Sequence, residues 1–287
     1  MKKILTFFLL FSGSVFSQTD SSYKKNYAKN FMKDYYKRHE YSYYPDLFYN
    51  ESNIHPDSVY NLSVSLKDFN GELPKQIYTF KNLVSLDVSG LNDSTRIDAG
   101  ILKLKKLKIL KIGGYANARK EFPDIIFNLP NLEELQIRNF MSGHIDFRKA
   151  KFLKLKKLFI DKCFLYDLKG IEKLKGLETL QIIDVQFDHI PKGIMKCTNL
   201  KKLELTSNYY FYPVSKNPKR RIINSVPKSI NRLSKLEYLL LPVCGIQNIQ
   251  LDPKKLTNLK VIELWGNDLS SESMKKLKAD FPKANFR

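Results

Sequence analysis

The sequence predicts an α/β solenoid, with a curved parallel sheet on one side and short helical returns on the other. One observation is a hexad with apolar residues at its first, fourth and sixth places, mostly Leu, Ile or Val. It starts at Val59, Leu83, Leu107, Leu132, Leu155, Leu177, Leu200, Leu236 and Leu259. Successive starts are 24, 24, 25, 23, 22, 23, 36 and 23 residues apart, the fixed short period of a repeat architecture. A second observation is the recipe of the returns. An apolar residue and a proline lead into apolar places spaced by three: Leu73-Pro74 to Ile77, Phe80 and Leu83; Phe122-Pro123 to Ile126, Leu129 and Leu132; Ile190-Pro191 to Ile194, Cys197 and Leu200; and Val226-Pro227 to Ile230, Leu233 and Leu236. Proline presets φ and opens a helical turn without wasting a donor. A spacing of three suits a 3₁₀ or short α turn facing inward.

The chain divides into four segments. Residues 1–17 read as an export signal. Lys2 and Lys3 precede an apolar run from Ile4 to Phe11, and Val15 and Ser17 precede a cut at Gln18. That run is too short to span a bilayer well, no later segment approaches the ~20 apolar residues required, and no cysteine follows it for lipidation. The expected product is exported, to the periplasm or beyond the cell, with no transmembrane segment. Residues 18–57 form an N-terminal helical cap, in which Tyr23, Tyr27, Phe31 and Tyr35 recur every four residues among lysines. Such a basic amphipathic helix suits a lid over the first repeat, and also a membrane surface. Residues 58–269 hold the nine repeats, with an insertion at about 209–221. Residues 270–287 form a C-terminal cap helix. Ser270 and Ser271 are its N-cap candidates, and Met274, Leu277 and Phe281 make its inward stripe.

Nine hexads in one frame, over about three quarters of the chain, resemble the leucine-rich repeat family. The resemblance implies a horseshoe that binds on its concave sheet and has no catalytic centre of its own. It also implies an Asn at the third residue past each hexad, whose amide satisfies loop backbone, with Cys as the usual substitute. Here that place holds Lys67, Leu91, Tyr115, Phe140, Cys163, Val185, Asn208, Cys244 and Asn267. Four of the nine conform, and elsewhere other groups must satisfy the backbone.

Composition restricts the partners. The formal charge is +20, or +18 without Lys2 and Lys3. The cations are nearly all lysine, the residue of solvated faces, whereas arginine is preferred where phosphate is gripped bidentately. With export, this argues against nucleic acid. Cys163 and Cys244 hold the same place in the fifth and eighth hexads. Three stacked strands of about 4.8 Å separate them by ~14 Å, beyond disulfide reach. All three cysteines, with Cys197 on an apolar place, are expected to be unbridged and structural.

No catalytic residue, metal site or cofactor site is expected. His39, His55, His144 and His189 are scattered, and no phosphate loop or nucleophile elbow occurs. The eighteen residues after Leu269 leave no room for the ligase domain that some similar bacterial proteins carry.

Binding residues are sought on the exposed sheet. Its middle column reads Ser63, Asp87, Lys111, Gln136, Phe159, Gln181, Glu204, Leu240 and Glu263, close to neutral. In the last two repeats, Tyr238, Leu240, Pro242, Val261 and Trp265 should form one exposed apolar patch, the kind of surface that marks a partner. Phe159 adds an aromatic to the column. The insertion runs Tyr209, Tyr210, Phe211, Tyr212, then Lys219, Arg220 and Arg221, and should project at the rim beside that patch. The expected function is a non-catalytic protein-binding module using the concave face and this loop. The alternative is an envelope or surface adhesin that holds anionic glycan, lipopolysaccharide or membrane by its lysine-rich exterior.

Overall fold

The computed structural model describes residues 57, 59–66, 71–92, 95–114, 122–140, 143–185, 187, 189–206 and 223–287. The expected signal at 1–17 and the cap at 18–57, Asp57 excepted, lie outside the described residues. So do the insertion at 209–221, with Tyr209, Tyr210, Phe211, Tyr212, Lys219, Arg220 and Arg221, and the loop positions Lys67, Tyr115 and Asn208.

Each hexad places a strand. These are β1 (Asn61–Ser65), β2 (Ser85–Leu91), β3 (Ile109–Gly114), β4 (Glu134–Arg138), β6 (Lys157–Asp161), β8 (Thr179–Ile183), β9 (Lys202–Thr206), β10 (Tyr238–Leu240) and β11 (Val261–Glu263). They lie side by side in chain order, every pair parallel, and a short β12 (Asn285–Phe286) joins beyond β11. Two further strands, β5 (Gly143–His144) and β7 (Leu165–Asp167), pair separately. Register holds place for place across the sheet: Leu135 faces Leu158, which faces Leu180, then Leu203, Leu239 and Ile262. All six are fully buried. A period-2 strand leaves its intervening residues on the other face, so one face of the sheet is core and the other is the concave surface.

The returns are 3₁₀ turns, as the spacing of three predicts. In the eighth repeat Ile230 N–H donates to Pro227, Leu233 to Ile230 and Leu236 to Leu233, each at 2.9 Å. The same chain of bonds joins Pro191, Ile194, Cys197 and Leu200 at 3.0 Å. Each apolar residue therefore points inward and also carries the i→i+3 bond that holds the turn. In two returns an aspartate opens the turn in place of proline: Asp98 Oδ1 accepts from Gly100 N–H at 2.6 Å, and Asp146 Oδ1 from Arg148 N–H at 3.0 Å.

The chain leaves the strands through one recurring corner. The second residue past the hexad has a left-handed backbone in six repeats: Gly90, Asn139, Lys162, Asp184, Val243 and Gly266, with φ between 51° and 80°. Immediately after the corner stands the position expected to hold Asn. Asn267 meets that expectation in full. Its Oδ1 accepts from Cys244 N–H and Ile246 N–H at 3.0 Å, and its Nδ2 donates to the Leu241 and Leu264 carbonyls at 2.7 and 2.8 Å. Cysteine performs half of this role. Cys244 Sγ lies 3.1 Å from the Leu205 carbonyl of the preceding repeat, and Cys163 Sγ lies 3.7 Å from that of Ile137. Phe140 takes the place differently, packing its ring 5.9 Å from Phe122 in an aromatic cluster that continues through Phe127 to Phe147 and Phe152. Cys163, Cys197 and Cys244 are buried and in no disulfide.

The C-terminal end is closed by α1 (Ser271–Asp280), capped by Ser270, whose Oγ accepts from Ser273 N–H at 3.1 Å. Leu277 and Phe281 are buried, and Met274 packs against the core. The end departs from an all-helical 270–287: after Asp280 the chain turns back, and β12 pairs Asn285 with Val261 and Phe286 with Ile262.

Candidate functional site on the concave sheet

Three register rows cross the concave face of the C-terminal half. The first runs Lys157, Thr179, Lys202, Tyr238, Val261 and Asn285; the second runs Phe159, Gln181, Glu204, Leu240 and Glu263. The third holds Asp161, Ile183 and Thr206, with Trp265 just past the end of β11. The strands fix these positions because every partner-facing residue alternates with a leucine or isoleucine locked in the core.

The polar members do not stand off the sheet into solvent. Gln136, Gln181, Glu204 and Glu263 are all buried, Gln136 to 3 % exposure and Glu263 to 4 %. The expectation of a solvated middle column is corrected here. At a strand separation of about 4.8 Å, long side chains lie along the sheet and bond to their neighbours. Gln181 Nε2 donates to Glu204 Oε2 at 2.6 Å, and Lys202 Nζ stands 3.2 Å from the same carboxylate. Gln136 Nε2 donates to Glu134 at 2.7 Å. Further along the sheet, Arg138 reaches across β3 to grip both oxygens of Asp87 at 2.7 and 3.0 Å. Gln136 Oε1 and Asp161 Oδ1 remain buried without a hydrogen-bond partner. Burial pushes the Asp161 carboxyl above its ordinary range, against the fields of Lys162 and Arg138.

The expected apolar patch is smaller than the sequence predicts. Tyr238 is 39 % exposed, and Leu240, Trp265 and Phe159 are half-buried. Pro242 and Val261 are buried, which corrects their expected exposure. Val261 lies between Tyr238 and Asn285 in register, so β12 flanks a residue that would otherwise sit on the outermost strand. Pro242 lies beyond β10, where the chain is already turning into the Val243 corner. Trp265 is oriented by its own strand: its Nε1–H donates to Glu263 Oε1 at 2.7 Å. Tyr238, Leu240 and Trp265 therefore occupy two adjacent strands, with two buried carboxylates, Glu204 and Glu263, flanking Leu240 in its row.

The sequence reading passed over a second feature, at the edge where the chain enters the sheet. The residue just before each hexad is Asn82, Lys106, Asn131, Lys154, Gly176, Asn199, Lys235 and Asn258 from the second repeat to the ninth. The second residue of each hexad, from the third repeat on, is Lys108, Glu133, Lys156, Glu178, Lys201, Glu237 and Lys260, alternating in sign. Both columns make bonds between repeats. The pattern lies in the spacing between repeats, 22 to 36 residues apart, rather than in the local density of lysine.

No group of three or more His, Cys, Asp or Glu among the described residues could hold a metal. No helix of the described residues is long and apolar enough to cross a membrane.

The sequence matches no protein-family model and no curated protein. Solved structures do match. The leucine-rich repeat domain of the type III effector XopL aligns over 96 % of this chain and 85 % of its own, at 17 % identity and a TM-score of 0.59. A TDR receptor aligns over 80 % of this chain at 20 % identity and a TM-score of 0.52, and the chain spans 42 % of that receptor's length. With its hexads in register along one parallel sheet and its 3₁₀ returns behind them, the chain is a leucine-rich repeat solenoid.

Proposed function

We propose that this protein is a non-catalytic binding module that holds a protein partner on the concave face of its last repeats. The observation that carries the reading is the grouping of half-exposed Tyr238, Leu240 and Trp265 along β10 and the end of β11, beside the buried carboxylates Glu204 and Glu263. Tyrosine and tryptophan are the usual anchors of protein interfaces. Here the indole N–H is already satisfied by Glu263, so the ring is held in place before any partner arrives. Preorganisation of this kind lowers the entropic cost of binding. Export fits the reading, and so does the segment 209–221, whose aromatics leave the chain next to this face in sequence.

Crosslinking in the native envelope and medium, followed by mass spectrometry, tests the proposal. The parent should retain a partner that Trp265→Ala and Tyr238→Ala each bind about thirtyfold more weakly, the effect of losing roughly 2 kcal/mol at an anchor. Deletion of 209–221 should weaken it as well. Binding should change little between 0.1 M and 1 M salt, because an apolar interface is not screened. Equal binding by the parent and both point variants would reject this face. Mass spectrometry of the secreted protein checks export, with Gln18 expected as the first residue.

A second reading, retention of an anionic glycan by the lysine-rich exterior, is supported by the charge at the entry edge of the sheet.

A further inference from the structure

The entry edge carries two ladders, and both are interrupted at the same place. In the first, each Asn donates backward to a carbonyl of the repeat before it: Asn82 to Asp57 at 2.8 Å, Asn131 to Lys105 at 3.0 Å, Asn199 to Lys175 at 2.8 Å and Asn258 to Ser234 at 2.8 Å. Each of the first three then accepts, on Oδ1, the ammonium of the next lysine along the edge. Lys106 reaches Asn82 at 2.8 Å, Lys154 reaches Asn131 at 2.8 Å and Lys235 reaches Asn199 at 2.6 Å. At Gly176 the rung has no side chain.

The second ladder is ionic. Lys108 pairs with Glu133 at 3.0 Å, Glu178 with Lys201 at 2.8 Å and Glu237 with Lys260 at 2.6 Å. Lys156 is the one lysine of this column whose side chain makes no ion pair or hydrogen bond among the described residues, and it stands one repeat before Gly176.

The two interruptions make one cleft of about 280 Å³, lined by Leu153, Lys154, Lys156, Gly176, Glu178, Asn199, Lys201 and Lys235. Three lysines, Lys156, Lys201 and Lys235, act there on the one carboxylate of Glu178, while Lys154 turns its ammonium to Asn131. Glu178 is held below the ordinary carboxylate range, first by the hydrogen bond from Lys201 and then by the fields of Lys156 and Lys235. Beside the charges, Leu153 is 83 % exposed, at a place where the third and sixth repeats carry Lys105 and Lys175. Gly176 is absent from the positive-φ residues, so no left-handed backbone demands it. An added Cβ would lie 3.2 Å from the Leu155 carbonyl, a tight contact that a shift of a few tenths of an ångström relieves.

We propose that the Gly176 cleft binds one acidic sugar unit of an anionic glycan, its oxyanion among Lys156, Lys201 and Lys235 and its ring against Leu153 and Gly176. The size is that of a single-unit ligand, at the small end of the ~300–1,000 Å³ typical of ligand pockets. Lysine supplies compact, rotatable point charges with no fixed bidentate geometry, which suits a carboxylate or phosphate on a flexible polymer. The cleft opens at the edge of the sheet, so a chain can continue past it on either side. This surface is separate from the concave face, and the failure of either assignment leaves the other standing.

The test is calorimetric titration of the full chain at low ionic strength with glucuronic acid, glucose 6-phosphate, glucose and inorganic phosphate. Either acidic sugar, or both, should bind, and which one does identifies a uronate or a phosphate as the natural group. Glucose should give no heat, and inorganic phosphate should bind at least about tenfold more weakly than the better acidic sugar. Gly176→Asn, which supplies the missing rung, should abolish binding, with a cooperative melt as the check that the variant folds. Lys156→Gln, an exposed change with no bond to lose, should weaken binding about tenfold and keeps the test decisive if the Asn variant does not fold. Absence of binding by both acidic sugars overturns the proposal. So does inorganic phosphate binding as tightly as either sugar, or retention of parental affinity in both variants.

Discussion

Val243 and Gly266 stand at the same corner of consecutive repeats, both left-handed, with φ of 56° and 71°. Space between them is short: a Cβ built on Gly266 would lie 3.1 Å from Val243 Cγ2. Glycine adopts this backbone at no steric cost, whereas a β-branched residue there is strained. The corner is nevertheless imposed on Val243, because its N–H must reach the Trp265 carbonyl at 3.0 Å.

Replacing Val243 by Asn should therefore stabilise the protein. Asn139 already holds the equivalent corner in the fourth repeat at φ 56°, and asparagine tolerates the left-handed region far better than valine. The expected gain is about 1 kcal/mol, read as a higher urea midpoint at unchanged slope. Gly266→Val should do the reverse, placing two β-branched residues in strained contact. A lower midpoint for Val243→Asn would show that valine's packing outweighs its strain.

Asn267→Ala removes four hydrogen bonds and leaves two amides and two carbonyls to find other partners. The expected loss is about 3 kcal/mol, given ~1–3 for each buried group left unsatisfied and some recovery from water. Asn267→Cys should fall between the two, because a thiol can still donate toward the Leu241 carbonyl as Cys244 does toward Leu205. Amide hydrogen exchange at Cys244 and Ile246 should accelerate in both variants, and unchanged protection there would contradict the assignment.

The buried thiols predict a sensitivity to base. Burial pushes both Cys163 and Cys197 up to about 12, against ~8.5 in an unfolded chain. The folded state thus keeps its protons where the unfolded state loses them. Stability is full below pH ~8.5 and falls as pH rises toward 12, by ~1.4 kcal/mol per pH unit for each thiol. Melts between pH 7 and 10 should show this slope, and Cys163→Ala/Cys197→Ala should flatten it whatever its absolute stability. Native thiols should also resist alkylation until the chain is unfolded.

The solenoid was legible because its two periods are enforced by the same residues. Leu200, for example, is both a hexad position and the end of the 3₁₀ chain from Pro191, so pattern and hydrogen bonding coincide. The left-handed corner was not legible. Gly90, Gly266, Asn139 and Asp184 are residue types that suit it, but Lys162 and Val243 are not, so no single residue type marks the corner along the chain. β12 escaped notice because Asn285 and Phe286 are too few to show alternation, and the burial of Val261 escaped with it. Alternation does assign Gln136, Gln181, Glu204 and Glu263 to the concave face, but it says nothing of whether a long side chain stands up or lies down. The notch at Gly176 could have been found, since a lone glycine interrupts a column of Asn and Lys, but only after that column was aligned.

The two residues of β12 also decide how the sheet stops. A parallel strand with an unpaired flank is a template on which another chain can assemble. Val261 and Ile262 would present such a template, but Asn285 and Phe286 already occupy it, while Phe281 seals the core beneath. A molecule built from near-identical layers could in principle be extended by a neighbour's first layer, end to end, into a filament. Here the terminating layer is a helix and a two-residue strand that offers nothing of matching length to stack on. β12 thus shields Val261 and Ile262, two of the three residues of β11, from pairing with another chain.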